Sequence, residues 1–269
     1  MEEKRYAGIL ENAVKEFEKY LDEYDREDDK IRLKIIHTYG VMDCADQITR
    51  RMDLQEEDRE LAMLIALLHD IGRFEQIRRF DTFEPGSMDH AAYGAGLLFG
   101  KKQMIRRFVK DDRFDDIIRI AIEKHSDFRL EGIEDQRILF HAKMIRDADK
   151  LDNCRVKLEE KIETLFDATE EEAGSGLISD KVWESCLRKE SVLSADRETI
   201  VDYWVSYIAQ YYDINFPETF QIILENNYVP RIADRLKYSQ RDTQEKMKLL
   251  VEQVEEYMRA YQGDGNGTC

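Results

Sequence analysis

The sequence predicts an all-α fold, and three observations carry that expectation. Only three prolines, Pro85, Pro217 and Pro230, interrupt 269 residues. Apolar residues recur three and four apart over most of the chain, the period of amphipathic helices. No stretch alternates as a half-buried strand does. The length suffices for one large domain or two small ones, with a core that needs no covalent staples.

In chain order, a first helix is expected from Glu3 to Tyr24, ending in the charged stretch DEYDREDDK. A second carries Ile31, Ile35, Met42, Ala45 and Ile48 along one side. A third, from Glu56 to Ile71, contains LAMLIALLHD and is apolar enough for a central core helix, with Gly72 placed to end it. Residues 73–88 break the period and include the first proline, which predicts a long connection. Asp89 reads as the N-cap of a helix over HAAYGAGLLFG, and further helices are expected over 113–126 and 136–157. The acidic segment EEKIETLFDATEEEAGSGLISD predicts a helix and then an exposed connection. Helices resume from Asp180 to Tyr212, from Pro217 to Asn226 and from Tyr238 to Tyr261, before a tail, QGDGNGTC, with the composition of disorder. The expected organisation is an N-terminal helix (1–27), a chemical core (28–157), a helical extension packed on that core (158–262) and the tail (263–269). No fixed-period repeat or low-complexity tract is present.

Composition narrows the function. With 42% hydrophobic and 37% charged residues the chain reads as a soluble globular protein, and no apolar run approaches the roughly 20 residues of a membrane-spanning helix. The N-terminal stretch MEEKRYAGILENAVKEFEKY is charged throughout and lacks a secretory apolar segment, so a cytoplasmic location is expected. Cys44, Cys154, Cys186 and Cys269 are scattered and suggest neither a zinc knuckle nor a disulfide framework. A formal net charge of −17 argues against binding long nucleic acids, which needs many Lys and Arg contacts to phosphates. A small anionic substrate stays open if metal ions supply local positive charge.

The five histidines all fall between 37 and 141, and their confinement is the first hint of a site. His69 and Asp70 adjoin at the end of the most apolar helix, where side chains about 100° apart can reach neighbouring positions around a metal. A charged Asp there is costly unless something pairs with it. His37 shares a helix side with Val41, Cys44 and Ile48, and Asp149 stands in the same relation to Ile138, Ala142 and Ile145, so both lean inward. His90 would open the helix capped by Asp89, and His125 lies one turn beyond Ala121 and Ile122. Each has a plainer reading as a helix-end or core residue bonded to a local carbonyl. His141 fits no motif position and reads as surface or core. Gly94 and Gly96 suit close helix packing better than substrate approach. Tyr203, Trp204, Tyr207, Tyr211 and Tyr212 suit core packing better than a nucleobase pocket.

The order H…HD…H…H…D, in HTYGVMDCADQI, ALLHDIGRF, DHAAYG, EKHSDF and IRDADKLDN, resembles the HD-domain metal-dependent phosphohydrolase superfamily. The likeness covers residues 30–155 and is to the form that holds two metals. It implies an HD-domain helical bundle with a C-terminal helical extension. It further implies that His37, His69, Asp70 and Asp149 hold one divalent ion, with Asp70 bridging to a second held by His90 and His125. The ions would be Fe, Mn, Co or Ni, with Mg also compatible, and a hydroxide between them would attack phosphorus. Arg73 and Lys124 are the candidates for the family's phosphate-binding cation, with Lys150 and the pairs Arg78-Arg79 and Arg106-Arg107 behind them. The expected substrate is a small phosphomonoester, phosphodiester or nucleotide. Two alternatives stay open: a di-iron oxygenase with the same ligand set, and a non-catalytic regulatory module whose extension meets a partner. The last helix, with Met247, Leu250, Val251, Val254 and Tyr257, could pack internally or form an oligomer interface.

Overall fold

The computed structural model describes residues 8–84 and 86–264, with side chains through 261, and every regular element among them is helical. The expected start of the first helix at Glu3 lies outside the described residues, as does the expected tail (263–269) except for residues 263–264, which instead close the last helix. No described helix is long and apolar enough to cross a membrane. The chain divides into two compact units, one ending at Asp152 and the other beginning at Asn153.

The first unit begins with α1 (Ile9–Leu21) and α2 (Asp29–Arg51), the latter capped by Asp28, whose carboxylate accepts the Ile31 N–H at 2.9 Å. α3 (Glu56–Leu68) has no polar side after its first turns: every residue from Leu61 to Leu68 is buried. Burying a Leu or Ile side chain contributes about 1.5–3 kcal/mol, so this run fixes α3 as the central element against which α1, α2 and α7 pack.

The expected third helix stops short, and the expected connection after it is helical. α3 ends at Leu68, His69 and Asp70 form a break, and α4 (Ile71–Phe80) starts at once, so Gly72 lies inside a helix instead of ending one. The reason is a second apolar stripe, Ile71, Phe74 and Ile77, spaced three apart within an otherwise charged segment and buried. α5 (His90–Phe99) follows, capped as expected by Asp89, which accepts the Ala92 N–H at 2.9 Å. The unit continues through α6 (Ile105–Phe108), α7 (Asp115–Lys124) and the long α8 (Gln136–Glu159), within which the division between units falls.

The second unit holds α9 (Ile162–Phe166), α10 (Glu170–Ala173), α11 (Asp180–Leu187), α12 (Ile200–Ala209), α13 (Pro217–Glu225), α14 (Tyr228–Ala233) and α15 (Arg241–Asp264). The single span expected from Asp180 to Tyr212 is interrupted between α11 and α12, and α14, which contains Pro230, was not expected from the pattern. Trp204 and Tyr211 are fully buried, and the Trp204 indole N–H donates to the Ile232 carbonyl, so these aromatics are core. Met247, Leu250, Val254 and Met258 are the buried side of α15, which packs on α12, α13 and α14.

Candidate metal centre

The break between α3 and α4 makes the site. Asp70 leaves helical geometry (φ −101°, ψ 18°), and although it occupies the N-cap position of α4 its carboxylate caps nothing there. The side chain is therefore available to the cluster, 97% removed from solvent. α5 can reach it because two glycines face each other: a Cβ on Gly72 would fall on the His90 carbonyl and on the Gly94 backbone. Gly94 is thus a packing residue, whereas Gly96 faces open space.

Four imidazoles and two carboxylates meet here. Ligating atoms of His37, His69 and Asp70 lie within 4.8 Å of one another, and so do those of Asp70, His90 and His125, with all five residues buried. Asp70 belongs to both groups. Its Oδ1 lies 3.2 Å from His90 Nε2 and 3.6 Å from His125 Nε2, and its Oδ2 lies 3.6 Å from His69 Nε2. Asp149 Oδ1 stands 3.0 Å from His37 Nε2, and its side chain keeps 26% of its exposure, which leaves this edge of the site wet.

The hydrogen-bond partners assign the tautomers. His69 Nδ1 donates to the Ala66 carbonyl, His125 Nδ1 to the Ile122 carbonyl and His37 Nδ1 to Asp152 Oδ2, each at 2.7 Å. A carbonyl or carboxylate accepts only, so in the neutral ring these contacts put the proton on Nδ1 and the lone pair on Nε2. His90 Nε2 accepts from the Arg73 guanidinium at 2.9 Å, so its lone pair is also on Nε2. The Nε2 atoms of His90 and His125 then face each other at 3.2 Å. The Nε2 atoms of His37 and His69 are buried and aimed into the cluster, that of His37 at Asp149 Oδ1 3.0 Å away.

Lone pairs and carboxylates converging in a buried space repel one another unless a cation sits among them. The donor set of imidazole nitrogen and carboxylate oxygen suits a divalent ion of the first transition row, and the second layer is the kind that fixes metal-binding histidines. The residues present therefore fit divalent metal binding.

Electrostatics agree. Burial pushes the His69 imidazole down to about 4, and burial together with the Arg73 charge pushes His90 down to about 3, so both are neutral ligands at pH 7. Burial would raise the Asp70 carboxyl, but Lys34, His69 and Arg73 outweigh it and hold Asp70 well below the usual carboxylate range. Asp149 is likewise held down, its burial outweighed by His37. Burial and Lys34 lower His37, yet Asp149 and Asp152 on its two nitrogens leave it raised: the pair of carboxylates wants a positive charge between them.

All six expected ligands are thus brought together, and Arg73 joins them. Its guanidinium also donates to Gln76 at 2.6 Å and lies 3.8 Å from Asp70. Lys124 is not brought in: its amine pairs with Asp127 at 3.1 Å and bonds to none of the six. Arg78 and Arg79 pair with Glu75, Arg106 with Asp115 and Arg107 with Glu16. Two residues were missed. Lys34 places its amine 2.7 Å from Asp70 Oδ2, and Asp152 orients His37. Each stands three residues from a motif member, Lys34 before His37 and Asp152 after Asp149, and that helical spacing was the available signal.

The fold and the cluster define a helical protein with a buried His/Asp cluster suited to holding a divalent metal. Residues 35–154, somewhat under half of the chain, match the family model of the HD domain, and the His/Asp groups of the cluster are consistent with the HD superfamily. No curated protein and no solved structure matches the chain.

Proposed function

We propose that the chain is a metal-dependent phosphohydrolase acting on a small phosphorylated compound. The observation that carries this reading is the sharing of Asp70 by two ligand groups, flanked by two cations, Lys34 and Arg73. His37, His69, Asp70 and Asp149 would hold one divalent ion, and Asp70, His90 and His125 a second. Bound there, such ions lower the pKa of water and neutralise charge on attacking and leaving oxygens.

The chain's own residues supply the remainder. Lys34 and Arg73 are mostly buried, with 13% and 14% of their side chains exposed, and both are tied to Asp70. Once Asp70 and His90 serve metal ions, the Arg73 Nε and Nη2 are available to phosphoryl oxygens as a planar fork, with Nη1 staying on Gln76, and Lys34 acts as a point charge. Asp152 keeps the His37 ring turned, with its Nε2 toward Asp149. A net charge of −17 disfavours long nucleic acids and leaves recognition to this small cationic edge.

The test is phosphate release from phosphomonoesters, phosphodiesters and nucleotides with Mn²⁺, Fe²⁺, Co²⁺, Ni²⁺ or Mg²⁺. The reading expects activity that Asp70→Ala lowers by roughly a thousandfold or more, while Lys34→Ala mainly raises KM. Two bound irons with oxygen consumption and no hydrolysis would overturn it in favour of an oxygenase.

A further inference from the structure

A cavity of about 420 Å³ lies on the first unit, away from the six cluster residues. It is lined by Tyr20, Tyr24 and Tyr93, by Arg78, Lys102 and Arg107, and by Glu23 and Glu75 among others. Three cations in one cavity are notable in a chain with a net charge of −17. The two carboxylates do not cancel them, because buried Glu75 is shared by Arg78 and by Arg79 just outside the lining. Lys102 has no hydrogen-bond or ion-pair partner among the described residues, and Arg107 has only a half-exposed contact to Glu16 at 3.3 Å.

The cavity is organised by that one carboxylate. Glu75 holds Arg78 with its guanidinium 5.3 Å from the Tyr24 ring centre, and Arg79 with its own 5.3 Å from the Tyr93 ring centre. Two guanidinium planes are thereby fixed on aromatic faces, and the Arg78 side chain remains half exposed. Such a plane accepts a second flat ring on its free side, and the cations nearby accept an anion. The volume lies in the range of small-molecule pockets, too large for phosphate alone.

We propose that this cavity is a second small-molecule site, for a compound that joins a flat aromatic ring to a phosphate or similar dianion. The ring stacks in the Tyr/Arg wall and the dianion meets Lys102 and Arg107. This assignment stands whether or not the metal centre hydrolyses phosphate esters. The site also touches the centre's framework: the Tyr20 hydroxyl bonds to that of Tyr24 at 2.6 Å and donates to the carbonyl of Ile71, the residue after Asp70, at 2.9 Å.

The test is calorimetric titration of the metal-loaded 269-residue chain with phenylphosphonate, whose P–C bond resists hydrolysis, beside methylphosphonate. In the Asp70→Ala chain the proposal expects one phenylphosphonate per chain, bound more tightly than methylphosphonate. Lys102→Glu and Arg107→Glu, both on exposed side chains, should each weaken it on the order of tenfold with unchanged circular dichroism. The same reversals in the otherwise wild-type chain should weaken the same binding step by the same factor, so the result does not hang on the Asp70 variant. No binding at millimolar probe, equal affinity for the two phosphonates, indifference to both reversals, or loss of all binding through Asp70→Ala in a folded chain would each overturn it.

Discussion

At the scale of single residues, the cluster's chemistry is set by what stands behind the ligands. Asp152 holds His37 Nδ1 at 2.7 Å and is itself almost wholly buried. Partners of this kind are commonly worth 10–100-fold in metal affinity. Asp152→Ala is therefore expected to weaken metal binding by about that factor with the six ligands intact, as read by competition against a chelating dye; unchanged affinity would show that His37 needs no such support. His141 tests a different expectation. It is fully buried, its Nε2 donates to Asp58 at 3.1 Å, and burial pushes its pKa below 6.5, with Asp58 offsetting only part of that. The unfolded chain binds this proton more readily than the folded one, so stability held above pH 6.5 falls as the pH drops below it. The depressed Asp58 adds loss in the same direction on further acidification. His141→Gln, which can keep the Asp58 bond, should flatten the fall of Tm between pH 7 and pH 5; parallel profiles for the two proteins would exclude His141 as its source.

At the scale of helices, the site depends on how closely elements approach. A Cβ on Gly40 in α2 would fall on the Asp152 carboxylate, and one on Gly72 in α4 on the backbone of α5. Gly→Ala inside a helix ordinarily stabilises by about 1 kcal/mol. Here the clash outweighs it, because the obstacle at Gly72 is backbone and overpacking typically costs 1–3 kcal/mol. Gly72→Ala should lower Tm and weaken the His90/His125 group more than the His37/His69 group, as read by stepwise metal titration; a raised Tm would contradict the packing argument. The same elements show what the sequence could carry. That these side chains converge was legible from inward helical positions, an HD pair on an apolar run and the order H…HD…H…H…D. The helix α4 was not, since its stripe of Ile71, Phe74 and Ile77 is hidden among five charged or amide side chains within ten residues. Nor was the role of Gly72: a glycine after an apolar helix reads as a stop, and only the position of α5 shows that it makes room. Lys34 and Asp152 were hidden for a related reason, since charged residues on long polar helices look solvated until their tertiary partners are known.

At the scale of the whole chain, a net charge of −17 is reversed only locally. Two compact units each have a core, that of the first built on α3 and that of the second on α12 and α15. The first carries all six site residues, which lie on five different helices or helix breaks, only His69 and Asp70 sharing one. A centre assembled this way forms only when the unit is folded, so metal binding and folding are linked. The central claim is that one carboxylate, Asp70, joins two metal positions. The most direct measurement is metal content per chain, by elemental analysis of protein purified without chelator, for the wild type, His90→Ala and Asp70→Ala. About two ions are expected in the wild type, about one after His90→Ala, and loss of both high-affinity positions after Asp70→Ala. A single ion in the wild type that His90→Ala leaves in place would contradict that claim.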